Sequence, residues 1–157
     1  MVNRGVFNLN GKKIGIIGIG SIGKQVAKLA RAFNMKVEFI SAQNLKKTQL
    51  HKFLKRQDII SLHCPLNKNT KNLITIKELR LMKKDSIIIN TARGGIINEK
   101  DLYEVMQDGH LSGAAIDVFD RANFNDGDGL TLIGLSQNFP EGSEDLSVDV
   151  TKIVSAT

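Results

Sequence analysis

Three glycines, Gly18, Gly20 and Gly23, stand at G-x-G-x-x-G spacing in "GIIGIGSIGK" (15–24), between an apolar run and a stretch with helical period. That spacing suits a diphosphate ligand. The first glycine permits a tight turn, the second lets the backbone approach a pyrophosphate, and the third lets the following helix pack closely. A helix opening at Ser21 would add free N–H groups and a partial positive charge. Without a ligand, the same glycines would make only a strand-to-helix turn. The fingerprint also calls for an acidic residue about 20 positions on, at the end of the next strand, to bind a ribose diol. In "EFISAQ" that position is Ser41, while Glu38 lies mid-strand. Lys46 and Lys47 follow and could meet a 2′-phosphate, so NAD and NADP are both expected cofactors.

Other chemistry-bearing residues fall where strands should end. Arg93, in "INTARGGIIN", carries a guanidinium fork that can grip a carboxylate bidentately while polarising an adjacent oxygen. Elsewhere such an arginine would be a surface ion-pair partner. His63, Thr91 and Asp117 also close predicted strands, and open α/β sheets bind ligands outside those carboxyl ends. Proton transfer at such an edge would need a general acid/base as well, usually a histidine oriented by a carboxylate. The chain has three histidines. His51 is placed within a helix, His110 at the opposite end of the sheet, and His63 at the correct edge. No metal site is expected.

The elements that must position these groups alternate. Strands are predicted at 13–18, 36–40, 58–63, 86–91 and 113–119. Between them lie a helix from Ser21 to about Asn34, one through Leu50, Phe53 and Leu54, one at 75–84 and one at 98–110. Ile22, Val26, Leu29 and Phe33 form an apolar stripe on the first helix, with Ser21 as its N-cap and Asn34 as its stop. This order predicts an α/β fold, a Rossmann-type doubly wound, mostly parallel sheet with helices on both faces in three layers. The whole chain, 1–157, reads as one dinucleotide-binding domain. Its polar loop, "DRANFNDGDG" (120–129), precedes a diverged tail (130–157) whose Leu146, Val150, Ile153 and Val154 suggest a terminal helix.

A chain of 157 residues, 41% hydrophobic, can bury one core. It has no apolar run long enough for a membrane span and no signal-peptide core, and its lone cysteine, Cys64, suits a reducing compartment; a cytoplasmic location is expected. The net charge of +6 is uneven: residues 1–84 carry 18 Lys/Arg against 3 Asp/Glu, residues 85–157 carry 4 against 13. The lysines are spread over several elements, without aromatic interleaving. A solvated face that also attracts a phosphate-bearing ligand explains them better than nucleic acid does.

Four ordered motifs, "GKKIGIIGIGSIGKQVAKLARAFNMKV", "DIISLHCPLNKNTKNLI", "LMKKDSIIINTARGGIINEKDL" and "GHLSGAAIDVF", together resemble the nucleotide-binding domain of the D-isomer-specific 2-hydroxyacid dehydrogenases from about Gly11 to Phe119. The resemblance implies hydride exchange between a nicotinamide dinucleotide and a small 2-hydroxy or 2-oxo acid, and a homodimer formed through this domain. Gly18, Gly20, Ser21 and Ile22 match the pyrophosphate loop. His63, Cys64 and Pro65 match the segment beside the adenosine, and Thr70 a threonine near the ribose. Thr91, Ala92 and Arg93 match the segment with the substrate-binding arginine, and Asp117 the aspartate that holds the nicotinamide amide.

The resemblance also exposes departures. The family's substrate domain has no N-terminal half in this sequence. Ala122 and Asn123 stand where the family has a Glu-Pro pair, and Gly134 aligns with the catalytic histidine; Asp120 is a displaced carboxylate without a partner. The expectation is an NAD(P)-binding domain whose own catalysis is weak or absent. An active dehydrogenase completed by another chain is the second reading, and an interaction module using the basic half the third.

Overall fold

The computed structural model describes residues 8–118. Apolar β-branched runs become five strands: β1 (Lys13–Ile17), β2 (Lys36–Ile40), β3 (Ile59–Leu62), β4 (Ile87–Asn90) and β5 (Gly113–Ile116). All neighbours pair in parallel, in the order β2-β1-β3-β4-β5. The helices are α1 (Ser21–Ala32), α2 (Lys47–Leu54), α3 (Ile76–Leu81) and α4 (Glu99–Gln107). The predicted order and type of every element within residues 8–118 are therefore observed; β2 keeps its predicted bounds, and other ends are trimmed by at most three residues. The chain leaves β1 for β2 on one side and returns to β3 on the other. A topological switch point thus lies between the carboxyl ends of β1 and β3.

Strand alternation divides the core between the two faces of the sheet. Ile14, Ile16 and Ile59 pack with Ala27, Ala30 and Met35 beneath α1. Ile17, Ile60, Leu62 and Ile88 pack with Leu50, Phe53 and Leu54 of α2, Leu79 of α3, and Leu102 and Val105 of α4. The result is the expected three-layer arrangement.

One expectation is overturned. Of the stripe Ile22, Val26, Leu29 and Phe33, Val26 packs against the core, but the other three side chains are 65%, 62% and 62% exposed. The buried residues of α1 are Gly23, Ala27 and Ala30, roughly a quarter turn around the helix from the stripe. Steric demand selects the small face: a Cβ on Gly23 would lie 2.3 Å from the Gly18 carbonyl oxygen. Likewise, Gly20 rather than Ser21 is the N-cap of α1. Asn34 does stop the helix. It adopts φ 59°, and the N–H groups of Asn34 and Met35 return to the carbonyls of Arg31 and Ala30, closing a Schellman motif.

Two carboxylates tie elements together away from the site edge. Asp58 accepts from the Lys13 amide and the Lys83 ammonium, both at 2.7 Å. Burial raises its pKa, but those bonds outweigh burial and hold the carboxyl below its usual range. Glu78, 2% exposed, joins α2 to α3. Its carboxylate accepts from Thr75 Oγ1 at 2.6 Å and the Thr75 amide at 3.1 Å, and contacts His51 Nε2 at 2.8 Å and Lys47 Nζ at 3.1 Å. Burial again pushes this carboxyl upward, yet the four contacts prevail and hold its pKa at about 2.

Candidate dinucleotide site

The site is built at the carboxyl edge of the sheet, and each part is held by short-range chemistry. Gly18 follows β1 with φ 110°, and its amide donates to the Ile40 carbonyl at 2.9 Å. A Cβ there would lie 2.4 Å from the His63 carbonyl oxygen, so only glycine allows the loops after β1 and β3 to touch. Gly20 differs. Nothing lies within 4 Å of a Cβ built on it, so the backbone borders open space. No side chain caps the N-terminus of α1, and its first turn carries no acidic residue. Uncapped N–H groups, a glycine wall and no competing carboxylate fit a pyrophosphate.

The end of β2 presents Ser41, exposed, with its Oγ accepting from the Gln43 amide at 3.2 Å. Glu38 is engaged elsewhere, with Arg56 at 2.9 Å and Gln57 at 3.1 Å. Lys47 does not wait for a 2′-phosphate either: its ammonium contacts Glu78 and the Leu73 carbonyl. That expectation is corrected, because α2 and α3 place Lys47 beside a buried carboxylate. Lys46 is exposed just before α2.

After β3, His63 lies beside Gly18 and its amide donates to the Ile17 carbonyl at 2.8 Å. Its ring is partly buried, and burial lowers its pKa, favouring the neutral imidazole. Cys64 is 3% exposed, and burial raises its thiol pKa. Pro65 is exposed, and its carbonyl accepts from Thr70 Oγ1 at 2.6 Å. Thr70 itself is 1% exposed; its hydroxyl also accepts from the Asn67 amide at 2.8 Å. It therefore buttresses the loop instead of offering a free hydroxyl.

Thr91, Ala92 and Arg93 follow β4, with Thr91 and Arg93 exposed. Among the described residues, Arg93 Nη1 donates to the neighbouring Ala92 carbonyl alone, at 2.7 Å, which leaves most of its fork available there. Asp117 is exposed just beyond β5, and its amide donates to the Asn90 carbonyl at 3.0 Å. Asn90, 2% exposed, was not singled out in the sequence, yet it joins this half of the site. Its Nδ2 donates to the Arg93 carbonyl at 2.9 Å and its Oδ1 accepts from the Ala92 amide at 3.1 Å. A polar residue closing the apolar run "SIIIN" was the available signal. Ser61, two residues before His63, was missed in the same way.

The structure thus gathers Gly18, Gly20, Ser21, Ile22, Gly23, Ser41, His63 to Pro65, Thr91 to Arg93 and Asp117 along one edge. His51 and His110 lie apart: His51 pairs with Glu78, and His110 Nε2 contacts the Met82 carbonyl before the start of β5. Asp120, Ala122, Asn123, Gly134 and the predicted terminal helix lie outside the described residues. Among the described residues there is no group of three or more His, Cys, Asp or Glu that could hold a metal ion, and no helix long and apolar enough to cross a membrane.

Residues 3–137 match the family model described as D-isomer specific 2-hydroxyacid dehydrogenase, NAD binding domain. The chain is 40% identical over 134 residues to a D-3-phosphoglycerate dehydrogenase of Methanocaldococcus jannaschii, covering 79% of this chain and 26% of that protein. It is 38% identical over 123 residues to a glyoxylate reductase of Thermococcus litoralis, covering 73% and 37%. Among solved structures, it is similar to D-lactate dehydrogenase from Aquifex aeolicus complexed with NAD and lactic acid, with TM-score 0.66 and 38% identity over 73% of this chain and 37% of that one. The chain spans between about a quarter and two-fifths of the length of these relatives.

Proposed function

Since the chain belongs to the D-isomer specific 2-hydroxyacid dehydrogenase family as its NAD-binding domain, we propose that it binds a nicotinamide dinucleotide across the carboxyl edge, with little or no turnover of its own. The observation that carries this reading is the open cradle at Gly20, facing the uncapped N-terminus of α1. Gly18, Gly20, Ser21, Ile22 and Gly23 hold the pyrophosphate through backbone N–H groups. Ser41 borders the adenosine ribose, and His63, Cys64 and Pro65 flank the adenosine side, with Thr70 holding their loop. Thr91, Ala92, Arg93 and Asp117 serve the nicotinamide end. When bound, the nicotinamide supplies a hydride donor or acceptor. Arg93 is the group that would orient a 2-oxo acid carboxylate. No histidine follows His110 in the sequence, so the usual proton donor is missing from the tail, a loss worth about 10²–10⁴-fold in rate.

With Glu38 and Lys47 both engaged elsewhere, neither a carboxylate nor a paired cation clamp selects the ribose 2′ position. NADH and NADPH are therefore expected to bind within about tenfold of each other. Titration of the purified chain with each, followed by calorimetry, tests the reading. No binding of either below roughly millimolar concentration overturns it.

The exposed stripe Ile22, Leu29 and Phe33 supports self-association through α1. The free fork of Arg93 supports a second reading, a dehydrogenase completed by another chain. NADH-dependent reduction of 2-oxo acids, lost on Arg93→Ala, would favour that reading.

A further inference from the structure

Ser61 lies on the α1 side of β3, following Ile59 by alternation, and is 3% exposed. Its Oγ lies 2.8 Å from His63 Nε2. The next residues of the loop are pinned as well, through the His63 amide to Ile17 and through Pro65 to Thr70. His63 therefore stands at the switch point, beside Gly18, with one ring nitrogen engaged by a buried hydroxyl. A neutral imidazole has one donor and one acceptor nitrogen, and the partner of one decides the role of the other. We infer that Ser61 is a positioning residue: it donates to His63 Nε2 and so fixes the Nδ1–H tautomer, which offers a hydrogen-bond donor to the anionic dinucleotide at the switch point. This rests on the dinucleotide-binding reading above. Ser61 never touches the ligand; it determines what His63 can offer.

The test uses the full chain with ¹⁵N-labelled histidine, and NADH as the ligand. In the unliganded protein the His63 ring is expected to carry its proton on Nδ1. Ser61→Ala should shift the proton toward Nε2 and weaken NADH binding about tenfold, the worth of one hydrogen bond to a charged group. Ser61→Thr, which keeps the hydroxyl, should restore both. A wild-type ring protonated on Nε2 overturns the inference without any variant. So does Ser61→Ala with unchanged tautomer and affinity, or Ser61→Thr binding as weakly as Ser61→Ala. If the wild-type chain binds no NADH, the function reading fails, while the tautomer measurement still decides the role of Ser61.

Discussion

Replacing Gly20 with alanine is expected to separate ligand binding from folding. At this position φ is −75°, a value any residue adopts, and a Cβ meets nothing within 4 Å. Alanine is a poorer N-cap than glycine, costing up to about 1 kcal/mol, but restricting the unfolded chain returns about 0.4–1 kcal/mol. The two nearly cancel, so the melting temperature should move by less than about 3 °C. The new methyl fills the space that the pyrophosphate needs against the N-terminus of α1. Losing one N–H bond to a charged phosphate oxygen costs about 1.5–3 kcal/mol, or roughly ten- to a hundredfold in Kd. Gly18→Ala provides the contrast. It combines φ 110° with a Cβ only 2.4 Å from a backbone oxygen, and should destabilise the fold by more than about 2 kcal/mol. Calorimetric titration with NADH and thermal unfolding of both variants decide the matter. A Gly20→Ala protein that is stable and binds NADH as tightly as wild type refutes the assignment of the cradle.

Three further outcomes follow from the geometry. Glu78 has its pKa held at about 2, against an ordinary carboxyl value of 4.5. A carboxyl whose pKa is depressed by folding stabilises the fold above its unfolded pKa and ceases to do so as pH falls through the folded one. About 3 kcal/mol should therefore disappear between pH 4.5 and 2, and Glu78→Gln should flatten that part of the stability profile; unfolding curves that keep the same acid dependence argue against it. Asn90→Ala leaves the Ala92 amide and the Arg93 carbonyl without their partner, and should cost about 1–3 kcal/mol by denaturant titration. Leu29→Lys with Phe33→Lys places charge on the exposed stripe of α1, and should leave the fold intact while converting a dimer to a monomer in light scattering. A wild-type chain that is already monomeric at high concentration removes that surface from consideration.

Much of the site was legible because its signals are local. "GIIGIGSIGK" announces its own turn chemistry, and the alternation of β-rich runs with helical periods requires parallel strands whose carboxyl ends share one edge. His63, Thr91 and Asp117 were placed at that edge from strand boundaries alone. Thr70 shows where local reading stops. The resemblance sets it near a cofactor ribose, but in the fold its hydroxyl is spent on Pro65 and Asn67.

By itself, then, the sequence determined the order and kind of the elements, the glycine cradle and the edge that carries the chemistry, since periodicity and turn preference act over a few residues. Tertiary structure decided which side of α1 is buried, because the close approach of Gly18 and Gly23 favours a small-residue face over the more hydrophobic one. It also decided that Lys47 serves Glu78 across 31 residues and that Asn90 draws the loops after β4 and β5 together. Such partnerships depend on the relative placement of separate elements, and on the need of each buried polar group for a partner. No single stretch of the chain encodes either.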